Sequence, residues 1–216
     1  HANAPFPACK RAYCFGCSHS LIPRPLGLMP AAANSDKLVA KFGKNNVVAL
    51  GWTLVCTGML LFTTVDVDTE YFRIALTFFI LGLGMGLTMA PSTTMVMDSI
   101  PEDKAGVGSA TNDASREIGG ALGIAIGGSV LNEIYQNELV VPEGLEIYSP
   151  IATESFPAAM RIGGQLLGEG NMLGSELIEN ARLAFMEGMV GSAMVSAGVA
   201  LITAILVKLY MPGKAK

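Results

Sequence analysis

Long apolar stretches separated by short charged or proline-containing segments set the pattern of this chain. The first runs from Val47 to Val65 without a charge and stops at Asp66, Asp68 and Glu70. The second runs from Phe72 to Met97, with Arg73 near its start and Pro91 late in it. A bilayer core of roughly 30 Å needs about 20 apolar residues in a helix, and both stretches reach that length. The third, built on the uncharged run Ile118–Leu131, is shorter, and Asp113, Arg116 and Glu117 lie just before it. The fourth, Met189–Val207, is again uncharged and is followed by Lys208, Lys214 and Lys216. The pattern predicts an all-α polytopic membrane protein with four transmembrane helices, over 47–65, 72–97, 116–135 and 187–208.

Between them we expect a charged loop at 34–46, a loop at 98–115, a long segment at 136–186 and a tail at 209–216. The long segment has Pro142, Pro150 and Pro157 at its centre. Its second half alternates apolar and polar positions, as in short helices lying on a protein or membrane surface. Residues 1–33 read as an irregular leader interrupted by Pro5, Pro7, Pro23, Pro25 and Pro30.

Composition strengthens the membrane reading. Apolar residues make up 51% and charged residues only 15%, and the mean hydropathy is +0.47. Soluble domains carry about 25% charged residues. The net charge is −4, without the clustered basic surplus of a nucleic-acid binder, so no nucleic-acid partner is expected. The expected solvent is the lipid bilayer. With four spans, Lys10, Arg11, Arg24, Lys37, Lys41, Lys44, Lys104, Arg116, Lys208, Lys214 and Lys216 fall on one side. Arg73, Arg161 and Arg182 fall on the other. Positive residues concentrate in cytoplasmic loops. Both ends of the 34–216 region are therefore expected in the cytoplasm, and 136–186 outside the plasma membrane.

Little in the sequence suggests catalysis. His1 and His19 are the histidines, and there is no HExxH, GxSxG or phosphate-loop pattern, so no enzyme and no cofactor are expected. Cys14, Cys17 and His19, with Cys9 nearby, could ligate zinc, but a second ligand pair at a recognised spacing is missing and no metal is expected. Gly82, Gly84 and Gly86 do not follow a strand, as a nucleotide-binding loop requires. Gly82 and Gly86 share one helical face, and so do Gly119, Gly123 and Gly127, with Gly120 beside them. Such faces let helix backbones approach closely in lipid, as static packing or as a surface that slides. Asp36, Lys41 and Lys44 read as a solvated anchor or as a gate that pairs in one state and parts in another. Asp113, Arg116 and Glu117 share a helical face, as a structural ion-pair cluster or as a titrating group that couples proton movement to conformational change.

The stretch SDKLVAKFGKNNVVALG at 35–51 resembles the cytoplasmic loop motif D-x-x-x-x-[KR]-x-G-[KR] of the major facilitator superfamily, with Asp36, Lys41, Gly43 and Lys44 in its fixed positions. Residues 81–132 resemble the last third of the fourteen-helix multidrug/proton antiporters, the drug:H+ antiporter-2 group. Pro91, Pro101, Gly106, Gly108, Asn112, Arg116, Gly119, Gly120 and Gly123 carry that likeness. The resemblance implies that the four spans are the last four helices of that fold. It also implies efflux of small amphipathic or cationic drug-like substrates, driven by proton entry. Asp36, Lys41, Gly43 and Lys44 would then form the cytoplasmic gate, and Arg116 would help position a moving helix. The family has about ten more helices, and residues 1–33 depart from it, which implies a C-terminal fragment with a shifted-frame leader. A small membrane protein with a structural or assembly role, or an inactive truncated transporter, are the alternative readings.

Overall fold

The computed structural model describes residues 23–65, 69 and 71–211. The described residues form helices and turns, with no strand. Helix α1 spans Pro23–Phe42, α2 Lys44–Phe62, α3 Tyr71–Asp98 and α4 Ala105–Glu138. A 3-10 turn at Glu146–Tyr148 leads into α5 (Ser149–Glu154), α6 (Phe156–Gly168) and α7 (Leu173–Tyr210). Four of these, α2, α3, α4 and α7, are long and apolar enough to cross a membrane. The chain is thus an all-α polytopic membrane protein.

Helix α1 departs from the expected leader and loop. Proline lacks an amide hydrogen, but the first turn of a helix does not use it, so Pro23 and Pro25 are accommodated. Pro30 lies inside the helix, where contact with α3 offsets the lost bond. A Cβ at Gly27 would come 2.5 Å from the Phe79 carbonyl oxygen, and one at Gly86 would come 2.7 Å from the Leu28 carbonyl oxygen. The backbones of α1 and α3 therefore nearly touch. Ala31, Val47 and Leu87 form the adjoining core.

The chain divides into two compact units. The first holds α1, α2, α3, the start of α4 up to Asn112 and the part of α7 from Ala197 on. There Cys56 is buried against Ala197 and Ala200, as a small apolar residue.

The second unit, residues 113–196, has its own core. Leu139, Leu145, Ala152, Ile162, Leu166 and Leu177 are buried around Tyr135. The Tyr135 hydroxyl donates to the Ala152 carbonyl at 3.0 Å, and Phe156 stacks on Phe185 with centroids 4.5 Å apart. Helix α6 is stopped by Gly170, two residues past its end, where φ is +80°. The Asn171 amide then returns to the Leu166 carbonyl and the Gly170 amide to the Leu167 carbonyl, the paired bonds of a Schellman stop. Gly163 and Gly174 meet backbone to backbone and fold α6 onto α7. The Gly144 amide donates to the Glu146 carboxylate at 2.9 Å and, with the Glu146 amide, holds that carboxyl below its ordinary range.

Segment 136–186 thus holds short helices, α5 and α6, that pack with α7 around a shared core. Helix α7 begins at Leu173, well before the expected 187, and α4 at Ala105, before the expected 116. At 1.5 Å per residue α7 is about 57 Å long, far beyond the roughly 30 Å apolar core of a bilayer. Charge marks where a helix leaves lipid, not where it ends. Glu176, Glu179 and Arg182 therefore lie on α7 without stopping it.

Candidate functional site

The loop motif becomes a one-residue joint. Gly43 separates α1 from α2 with φ 86° and ψ 149°, a backbone region that side chains with a Cβ essentially do not occupy. Its amide still bonds the Val39 carbonyl at 2.8 Å, so α1 closes its last turn before the chain turns. Lys44, first in α2, places Nζ 3.1 Å from Oδ2 of Asp98, last in α3. Each charge opposes its own helix dipole: a cation at an N-terminus and an anion at a C-terminus are both disfavoured. Pairing them offsets both. Lys44 is 25% exposed and Asp98 60%, so the pair contributes about 0.2–1 kcal/mol.

The next two residues clamp the end of α7. Asn45 Nδ2 donates to the Lys208 carbonyl at 3.1 Å and to the Met211 carbonyl at 3.0 Å. The Lys208 carbonyl is among the last of α7, which have no partner within the helix, and Met211 lies just beyond its end. The Lys208 ammonium donates in turn to Asn46 Oδ1. The start of α2, the end of α3 and the end of α7 therefore meet at one edge of this unit. Asp98, Asn45 and Asn46 were not among the residues singled out from sequence. The doublet directly after the motif was the available signal. Asp98 could not be found, since it lies far along the chain.

Of the other motif residues, Lys41 lies over the Phe42 ring, 5.4 Å from its centroid. Asp36 is exposed on α1 and pairs with no described cation. Asp113, Arg116 and Glu117 lie together on one turn of α4, all exposed. Cys9, Cys14, Cys17 and His19 lie outside the described residues. Among those described, no group of three His, Cys, Asp or Glu side chains is placed to hold a metal.

The glycines divide sharply. Gly51 and Gly84 face one another: a Cβ on Gly51 would lie 2.9 Å from the Gly84 carbonyl oxygen, and one on Gly84 2.8 Å from that of Gly51. This contact joins α2 to α3, and sequence reading missed Gly51 because no repeat surrounds it. Gly86 packs on α1, and Gly82 and Pro91 are buried in α3. Gly119, Gly120 and Gly123 have no described neighbour within 4 Å of an added Cβ, and Gly127 has the Ser192 hydroxyl at 3.0 Å. Among the described residues, the first three make no such close packing. A groove of about 490 Å³ runs between α1 and α3, bordered by Leu28, Ala32, Met89, Ala90, Thr93 and Thr94. Thr93 and Thr94 donate to carbonyls of their own helix, so the groove presents an apolar wall with a deformable methionine.

Comparison with known proteins bears on the same segment. Residues 16–124, about half of the chain, match the model of the Major Facilitator Superfamily. The chain is 27% identical over 187 residues to the multidrug efflux pump LfrA of Mycolicibacterium smegmatis, covering 86% of this chain and 36% of that protein. It is 31% identical over 112 residues to the multidrug transporter protein MdtP of Bacillus subtilis, covering 52% and 21%. It is 26% identical over 197 residues to the tetracenomycin C resistance and export protein of Streptomyces glaucescens, covering 85% and 36%. The chain thus spans about a third or less of the length of these relatives. The matched segment includes the Gly43 joint, the Lys44–Asp98 pair and the close-packed α1–α3 helices, and the chain belongs to the Major Facilitator Superfamily.

Proposed function

We infer that these helices serve proton-coupled multidrug efflux across the plasma membrane, contributing one portion of the transport path. The observation that carries the reading is the Gly43 joint with Lys44 held to Asp98, in a segment matching the family model. The relatives named as a multidrug efflux pump and a multidrug transporter support a drug-like substrate class, which we take to be amphipathic or cationic. In this reading the start of α2 and the ends of α3 and α7 lie on the cytoplasmic face. Asp36, Lys41, Gly43 and Lys44 form the cytoplasmic gate. A surface ion pair worth less than about 1 kcal/mol is weak enough to part and re-form during a transport cycle. Asp113, Arg116 and Glu117 form an ion-pair cluster at the start of the membrane part of α4, through which proton movement is coupled to the helix.

A structural or assembly role is the second reading, favoured by one observation: Gly119, Gly120 and Gly123 have no close neighbour among the described residues. Asp36→Asn and Arg116→Ala separate the two. Expressed from the native locus, each variant should keep its level in the membrane and lose protonophore-sensitive ethidium efflux. Reduced abundance or altered assembly, with efflux unaffected by the protonophore, supports the assembly role instead.

A further inference from the structure

A second groove, also of about 490 Å³, lies between α2 and the C-terminal turns of α7. Leu50, Leu201, Ala204 and Ile205 make its apolar walls, and Asn46 and Lys208 stand at one end. Thr53 also borders it, but its hydroxyl donates to the Ala49 and Leu50 carbonyls. The polar demand of the groove is therefore concentrated at the Asn46–Lys208 end. Lys208 is exposed and gives one of its three donors to Asn46. No described carboxylate lies within ion-pairing distance of it. It directly follows the uncharged run Met189–Val207 of α7, where a membrane-spanning stretch reaches the headgroups. From Asn46 to Thr53 the groove follows about 10 Å of helix, enough for the upper part of an acyl chain.

From a cation with free donors at headgroup depth, opening onto an apolar slot that runs into the membrane, we propose that this groove holds an anionic phospholipid. Its phosphate would rest on Lys208 and Asn46, and its acyl chain would lie between Leu50, Leu201 and Ile205. The site is separate from the groove between α1 and α3 and does not depend on which substrate is transported.

The test is native mass spectrometry of the full chain in mild detergent with dioleoyl phosphatidylglycerol or dioleoyl phosphatidylcholine. The phosphatidylglycerol adduct should be favoured about fivefold, the worth of one lysine near an anionic headgroup. Lys208→Arg should keep the preference and Lys208→Gln should abolish it. Leu50→Trp should fill the slot and weaken both adducts without touching the charge, which keeps the test decisive if Lys208→Gln fails to fold. Equal retention of the two lipids, displacement of phosphatidylglycerol by ethidium, or a preference that survives Lys208→Gln overturns the proposal.

Discussion

At Gly43 one residue decides how two helices meet. Alanine there would be forced into a backbone region it avoids, at a cost of about 1–3 kcal/mol. Gly43→Ala should therefore lower the thermal midpoint in detergent, whereas Gly106→Ala, where an added Cβ meets nothing, should not. An equal response of the two variants would show that the joint is unstrained. Tyr135 poses the complementary case. Its hydroxyl satisfies the buried Ala152 carbonyl, and Tyr135→Phe leaves that oxygen unpaired at about 1–3 kcal/mol. Limited proteolysis should then cut residues 139–172 faster, and an unchanged rate would mean that water replaces the hydroxyl. The glycine of the loop motif was legible in sequence, because the motif fixes its position. Asp98, which pairs with the neighbouring Lys44, was not, because pairing over such a chain distance leaves no local pattern.

At the scale of elements, close helix approach depends on a few positions without side chains. Gly51→Val and Gly84→Val each drive methyl groups into the opposing backbone, an overpacking cost of about 1–3 kcal/mol. Gly119→Ala and Gly123→Ala meet nothing among the described residues and should hold or raise helicity, since alanine is the better helix former by about 1 kcal/mol. Circular dichroism during heating separates the pairs, and destabilisation by all four would contradict the assignment of contacts. The apolar stretches of α2 and α3 were readable because lipid demands an uninterrupted run. Helix α3 extends one residue beyond the expected span at each end, at Tyr71 and Asp98. Helix α1 was not readable, since prolines argue locally against a helix that α3 supports from outside. The early start of α7 was missed for a similar reason: its first turns are amphipathic and are held by α6, outside the pattern that marks a membrane span.

For the whole molecule, the meeting of Lys44, Asp98 and the end of α7 places three helix ends on one side, as alternating membrane crossings require. The excess of Lys and Arg there supports a cytoplasmic assignment. With its other cysteines replaced by serine, Glu169→Cys should react with an impermeant maleimide added to intact cells, and labelling only after lysis would invert the topology. The proposed efflux rests on motif resemblance, because neither apolar composition nor helix packing specifies a cargo. The most direct test is ethidium movement in everted membrane vesicles from cells expressing the gene, with a proton gradient imposed acid inside. The account predicts gradient-dependent uptake into the vesicles that collapses on adding a protonophore. Uptake no greater than in vesicles lacking the gene product, or uptake indifferent to the gradient, would contradict it.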